Sequence, residues 1–129
     1  MHQRSALLAG SILGFLGVAL GAFGAHALKP MLLQSGRLET FELAVRYQFY
    51  HAFALLILGI IMQNNFSLRL KYGALCFLLG VIMFSGSLYI LSFTGLGILG
   101  AITPIGGLFL IFGWSFTALG VFKKNSPSD

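Results

Sequence analysis

Four long stretches of this chain lack Asp, Glu, Lys and Arg in their interiors and consist mostly of apolar side chains. A helix needs about 20 apolar residues to cross the hydrocarbon of a bilayer. Backbone polar groups in hydrocarbon must be paired within their own segment, so stretches of this kind form helices. The pattern predicts an all-α integral membrane protein, with one four-helix bundle over residues 1–129. The predicted spans are 5–28, 47–62, 72–93 and 97–122.

Composition argues against the soluble classes of protein. Only 9% of the residues are charged and 57% are hydrophobic, whereas soluble domains average about 25% charged residues. The net charge is +5, but the basic residues are scattered at the ends of spans and form no clustered patch. We therefore expect membrane lipid as a partner and no nucleic acid.

The second span is short, and the segment before it has helical spacing of its apolar residues. Leu38, Phe41 and Val45 recur at intervals of three and four residues, which places them on one face of a helix. We therefore expect one helix from about residue 37 to residue 62, with Ser35 as its N-cap.

Pro104 allows two interpretations of the fourth span. It either lies inside a helix that begins near Gly97 and kinks that helix, or it is the first residue of a helix capped by Thr103. We favour the first interpretation, because residues 96–102 are too apolar for an exposed loop.

The basic residues indicate how the chain is oriented in the membrane. Four spans put both termini and the middle loop on one side, which carries five Lys or Arg residues against three on the other side. The positive-inside rule then predicts that both termini lie in the cytoplasm. The five residues are Arg4, Arg69, Lys71, Lys123 and Lys124, and the three are Lys29, Arg37 and Arg46.

Small residues mark the faces on which the helices pack. Helices in lipid associate where small side chains let their backbones approach closely. Five glycines of the first span follow spacings of four, three, four and three residues, the period of a left-handed crossing. A second face, with Ala19 and Ala22, indicates a partner on that side too, and a homo-oligomer is the hypothesis. The packing glycines are Gly10, Gly14, Gly17, Gly21, Gly24, Gly80, Gly106 and Gly113.

Polar residues within the spans lie mostly toward the side opposite the termini. Intramembrane ionisable residues tend to face the bundle interior, so we predict one polar cluster in which His26 and His51 share a hydrogen bond or a water. Two histidines fall short of the three or four ligands of a zinc site, and no catalytic set or cofactor site is apparent. The cluster either packs the helices or binds a small ligand. Its members are His26, Tyr47, Gln48, His51, Ser85, Ser87, Tyr89 and Thr103.

Four sequence motifs carry a family resemblance. They are GAFGAHAL at 21–28, YQFYHAFALL at 47–56, FSGSLY at 84–89 and TPIGG at 103–107. Together they resemble the YgdD/YwdK family, small bacterial inner-membrane proteins classed as a domain of unknown function. The resemblance runs from about Gly10 to Gly120. It implies a four-helix protein of the bacterial plasma membrane, and it implies no catalytic residue and no activity.

These observations predict a small multi-pass inner-membrane protein without enzymatic activity. Its outer polar cluster would pack the helices or bind a small ligand or lipid. The alternative is a small oligomeric transporter or channel in which His26 and His51 form a proton-sensitive pair, because histidine titrates near pH 6.5 when unperturbed.

Overall fold

The computed structural model describes residues 1–122, and these residues form four long helices and one short helix. The long helices have the length and the apolar composition needed to cross a membrane. The expected all-α membrane architecture is therefore confirmed. The helices are α1 (Gln3–Ala25), α2 (Lys29–Gln34), α3 (Leu38–Asn64), α4 (Leu68–Thr94) and α5 (Leu99–Phe122).

The four long helices are arranged as a row. Helices α3 and α4 pack against each other in the middle, while α1 packs mainly on α3 and α5 mainly on α4. In the most apolar stretch of each helix, 17% of the residues are buried in α1 and 44% are buried in α3. The outer helices therefore present most of their surface to the lipid.

The α1–α3 contact depends on three glycines of α1. Gly10, Gly17 and Gly24 are buried, one every seven residues. A Cβ at Gly10 would lie 2.8 Å from the carbonyl oxygen of Ala52, and one at Gly24 would overlap the ring of Phe41. The two helices can approach this closely only because these positions carry no side chain.

The other two glycines of the α1 seam contribute less than expected. A Cβ at Gly14 would meet nothing within 4 Å, and one at Gly21 would make an ordinary contact with Val45 at 3.4 Å. At about 100° per residue the five glycines cover a sector wider than the line of contact. The prediction that Gly14 packs against a neighbouring helix is therefore wrong.

Glycines also determine the α4–α5 contact. Gly80, Gly106 and Gly113 are buried in it. A Cβ at Gly106 would overlap the backbone of Phe84, and one at Gly113 would overlap the ring of Phe77. The structure therefore places all three of these glycines at the helix contact.

Helix α3 begins one residue after the expected position, and its N-cap is Arg37. Ser35 was expected in that role, but it ends the short helix α2, where its hydroxyl donates to the carbonyl of Leu32 (3.2 Å). The prediction for Ser35 is wrong because six residues are too few to show the periodicity that would have revealed α2. Leu32 is fully buried and fixes α2 against the bundle.

The structure decides between the two interpretations of Pro104. Helix α5 begins at Leu99, so Pro104 lies inside it. The hydroxyl of Thr103 donates to the carbonyl of Leu99 (3.2 Å) within the first turns, and Thr103 does not cap the helix.

Among residues 1–122 the two ends of the bundle carry three Lys or Arg residues each. The terminal end holds the start of α1 and the end of α5. There the Arg69 guanidinium donates to the Leu119 carbonyl (3.1 Å) in the last turns of α5, where the helix dipole favours a cation. Lys123 and Lys124, which account for the excess of basic residues on the side of the termini, lie outside the described residues. A cytoplasmic location of both termini stays a prediction.

We predict that Gly10→Leu destabilises the protein while Gly14→Leu does not. The added side chain at position 10 meets the rigid backbone of Ala52 at 2.8 Å, whereas position 14 faces open space. Overpacking of this kind costs about 1–3 kcal/mol. Thermal unfolding of both variants in the same detergent measures the difference, and equal stabilities would show that α1 does not pack on α3 through Gly10.

Candidate functional site

Gln48 of α3 connects three helices through its side-chain amide. Its Nε2 donates to the carbonyl of Leu13 on α1 (2.7 Å), and its Oε1 accepts from the hydroxyl of Tyr89 on α4 (2.7 Å). A carbonyl only accepts hydrogen bonds, which fixes the orientation of the amide. Gln48 is 3% exposed, so no water or lipid headgroup competes for these bonds.

Serine hydroxyls make two further connections between helices. The hydroxyl of Ser85 on α4 donates to the carbonyl of Ala44 on α3 (2.8 Å). Ser87 on α4 and Thr103 on α5 share a hydrogen bond of 2.8 Å between their hydroxyl oxygens. Within residues 1–122 every buried side-chain nitrogen and oxygen atom has a hydrogen-bond partner. Five members of the predicted cluster thus form bonds between neighbouring helices, namely Gln48, Ser85, Ser87, Tyr89 and Thr103.

His51 occupies the middle of α3 and bonds through both ring nitrogens. Its Nδ1 lies 2.8 Å from the carbonyl oxygen of Tyr47, and its Nε2 lies 3.3 Å from the indole Nε1 of Trp114 on α5. The carbonyl can only accept and the indole N–H can only donate. The arrangement therefore corresponds to a neutral imidazole with its hydrogen on Nδ1.

His26 is far from His51, and the predicted histidine pair is wrong. His26 follows the last residue of α1 and is exposed. Its neighbour Gly24 packs on Phe41 in the first turns of α3, and His51 lies ten residues further on, about 15 Å along the helix. An apolar stretch that begins at Tyr47 predicts that His51 lies near the outer end of its helix. Helix α3 begins nine residues before Tyr47, so His51 lies in the middle of the helix instead.

A cavity of about 460 Å³ lies beside this network, between α3 and α5. Phe84 of α4 lies between the two helices. Tyr50, Ile111 and Trp114 are each more than half exposed, so the cavity is open on the lipid-facing surface. Its lining residues are Tyr47, Tyr50, His51, Phe84, Gly107, Leu110, Ile111 and Trp114.

Two tyrosines that line this cavity have hydroxyls without a partner among residues 1–122. All four tyrosines of the chain lie within residues 1–122, and only Tyr89 has a hydroxyl bonded to another residue there. Tyr47 and Tyr50 are three residues apart on one face of α3 and line the cavity together. Within residues 1–122, no group of three or more His, Cys, Asp and Glu side chains is placed to hold a metal ion.

Trp114 is the residue that the sequence-based prediction missed. It is the only tryptophan of the chain, and it lies inside a span rather than at the membrane interface where tryptophans usually gather. An indole N–H at that depth needs an acceptor, and the imidazole of His51 supplies it. The unusual depth of Trp114 was the signal that could have revealed it.

Most of the network and most of the cavity lie within a segment that known proteins share. A family model described as a protein of unknown function (DUF423) matches residues 20–107, which is more than half of the chain. The chain belongs to the DUF423 family.

Relatives in this family extend the similarity to nearly the whole chain. A UPF0382 membrane protein of Staphylococcus haemolyticus is 43% identical over 117 residues, covering 91% of this chain and 94% of the relative. The UPF0382 inner membrane protein YgdD of Escherichia coli K12 is 35% identical over 125 residues, covering 95% and 93%. No solved structure matches the chain.

These relatives confirm the family resemblance that the four motifs indicated. This DUF423 protein is accordingly a small multi-pass protein of the bacterial plasma membrane. The family has no assigned activity, so an account of function has to come from the geometry of the polar network and the cavity.

We predict that Gln48→Leu and Tyr89→Phe are not additive. Gln48→Leu removes two bonds between helices and leaves the Tyr89 hydroxyl without a partner, at a cost of about 1–2 kcal/mol. Adding Tyr89→Phe removes that hydroxyl and should cost little more. The free energies of unfolding in detergent of wild type, the two single variants and the double variant give the coupling between the two side chains. Gln63→Leu, on the exposed part of α3, is the control. Additive losses would show that the two side chains do not interact.

We predict that His51→Leu lowers stability and His26→Leu does not. Loss of the imidazole leaves the Trp114 indole N–H without its acceptor, at a cost of about 0.5–2 kcal/mol, whereas His26 is exposed. Thermal unfolding of the two variants in parallel is the measurement. A larger loss at His26 would contradict the assignment of His51 to the network.

Proposed function

We propose that this DUF423 protein is a non-enzymatic membrane protein that binds a lipid-soluble molecule between α3 and α5. The observation that carries the proposal is the cavity of about 460 Å³. Its volume falls within the range of about 300–1,000 Å³ that is usual for small-molecule sites. Apolar walls with a few polar groups are also typical of such sites.

The position of the cavity suits a ligand that comes from the bilayer. The exposed side chains of Tyr50, Ile111 and Trp114 surround its opening on the lipid-facing surface. A hydrophobic molecule dissolved in the membrane can enter sideways without crossing the water phase. Among residues 1–122, no Asp, Glu, Lys or Arg lines the cavity, which favours a neutral ligand because an unpaired charge is costly in an apolar site.

The hydrogen-bond network supports a binding role by holding the helices in place. Gln48, Ser85 and Ser87 connect α3, α4 and α5 with bonds of 2.7–2.8 Å. A site whose walls are already fixed loses little conformational entropy when a ligand enters. These polar groups bond one another, which suits a structural function for them better than a catalytic one.

The transporter alternative loses the pair of residues on which it depended, because His26 is exposed and His51 bonds Tyr47 and Trp114. The homo-oligomer remains a proposal. The outward face of α1, with Phe15 and Val18 exposed, is available to lipid or to a second copy of the chain.

We predict that a co-purifying molecule is lost in Gly107→Leu and kept in Gly100→Leu. Both variants add the same side chain to α5. Position 107 lines the cavity and has room for a Cβ, 3.8 Å from Phe84, whereas position 100 faces open space. Native mass spectrometry of protein released from a mild detergent, followed by organic extraction, identifies bound molecules.

The expected result is a bound molecule in wild type and in Gly100→Leu only, with circular dichroism showing the same helix content in all three proteins. Equal retention in both variants would place the molecule elsewhere on the surface. A wild-type protein that carries nothing, and that takes up nothing from added membrane extract, would refute the binding function.

A further inference from the structure

The polar groups that the cavity offers to an occupant are neutral hydroxyls. Those of Tyr47 and Tyr50 have no partner among residues 1–122, whereas the nitrogens of His51 and Trp114 bond each other and the backbone. Phosphate or carboxylate would need a cation to balance its charge, and no Lys or Arg of the described part of the chain lines the cavity. These groups suit a neutral occupant, and oxygen atoms that accept hydrogen bonds would match the two tyrosine hydroxyls.

The aromatic side chains of the walls favour an occupant with a ring that can pack against them. Tyr47 and Phe84 stack with ring centroids 4.5 Å apart, and Trp114 of α5 faces His51 of α3 with ring centroids 6.1 Å apart. Two aromatic rings that stack, or that meet edge to face, gain about 0.5–1.5 kcal/mol in addition to the free energy of burying their surface. The remaining wall, which includes Leu110 and Ile111, is aliphatic and continues to the exposed surface.

We infer that the occupant of this cavity is a lipid quinone, a neutral flat ring with carbonyl oxygens and a hydrocarbon tail. This inference rests on the proposed binding function and names the class of ligand. The hydroxyls of Tyr47 and Tyr50 donate to the carbonyl oxygens, and the ring lies against Phe84 and Trp114. The tail leaves past Ile111 into the bilayer. The inference concerns binding, and no electron transfer is part of it.

Trp114 provides the means of testing this assignment. It is the only tryptophan and it lines the cavity, so its fluorescence reports on this site without a label. Quinones quench indole fluorescence. We would titrate the protein, in nanodiscs of one phospholipid, with a short-tailed benzoquinone and a short-tailed naphthoquinone. A cyclohexane with the same tail serves as a competitor that lacks both the flat ring and the carbonyl groups.

We expect saturable quenching in wild type and in Gly100→Leu, with affinity at least tenfold weaker in Gly107→Leu. Tyr47→Phe and Tyr50→Phe should each weaken binding about fivefold, the usual effect of losing one neutral hydrogen bond. Tyr72→Phe, at an exposed tyrosine of α4 outside the cavity, is the matched control and should bind like wild type. The saturated competitor should not relieve the quenching.

Three results would overturn the quinone assignment. Quenching that never saturates, or that is equal in Gly107→Leu, would come from quinone dissolved in the lipid. Displacement by the saturated competitor would show that ring and carbonyls are not recognised. Unchanged quinone affinity in both Tyr47→Phe and Tyr50→Phe would show that the two hydroxyls do not bind the quinone. If the co-purifying molecule is still lost only in Gly107→Leu, the binding function survives and another neutral lipid is the ligand.

Discussion

The side-chain amide of Gln48 is the interaction on which the arrangement of α1, α3 and α4 depends. Lipid tails are as apolar as leucine, so the hydrophobic effect does not hold these helices together. Close backbone approach and hydrogen bonds have to do so. The amide connects three of the four long helices. Because the glycines of α1 let it approach α3 closely, the amide of Gln48 reaches the Leu13 carbonyl, and the Tyr89 hydroxyl of α4 reaches the amide from the other side. Both bonds lie in a region where no water competes for them.

The cavity follows from the same arrangement. Because the helices form a row, α5 packs on α4 and not along the whole of α3. The indole of Trp114 bridges the gap between α3 and α5 where it meets the imidazole of His51. Aromatic and aliphatic side chains line the rest of the gap. A closed ring of four helices would have filled this space with side chains from α5, and the site that we propose for a quinone would not exist.

Much of this architecture was predictable, because membrane helices follow from local rules. The four apolar stretches, the extension of the second helix to about residue 37 and the interior position of Pro104 all rest on hydropathy and helical periodicity. Of the polar residues in the predicted cluster, Gln48, Ser85 and Thr103 bond to a neighbouring helix. The errors at His26 and Gly14 have a common cause. Each of them required knowing the depth or the rotation of one helix relative to another.

The sequence by itself determined that this protein has four membrane helices, that it belongs to a family of bacterial membrane proteins, and that its intramembrane polar groups need partners. These properties depend on the apolar length of each segment, on its motifs and on the cost of burying an unpaired polar group. Only the tertiary structure decided which partners they find. Moving or rotating a helix by a few residues leaves its hydropathy unchanged but changes every contact. That is why the bond from Trp114 to His51 and the open cavity beside it became visible only when the helices were placed together.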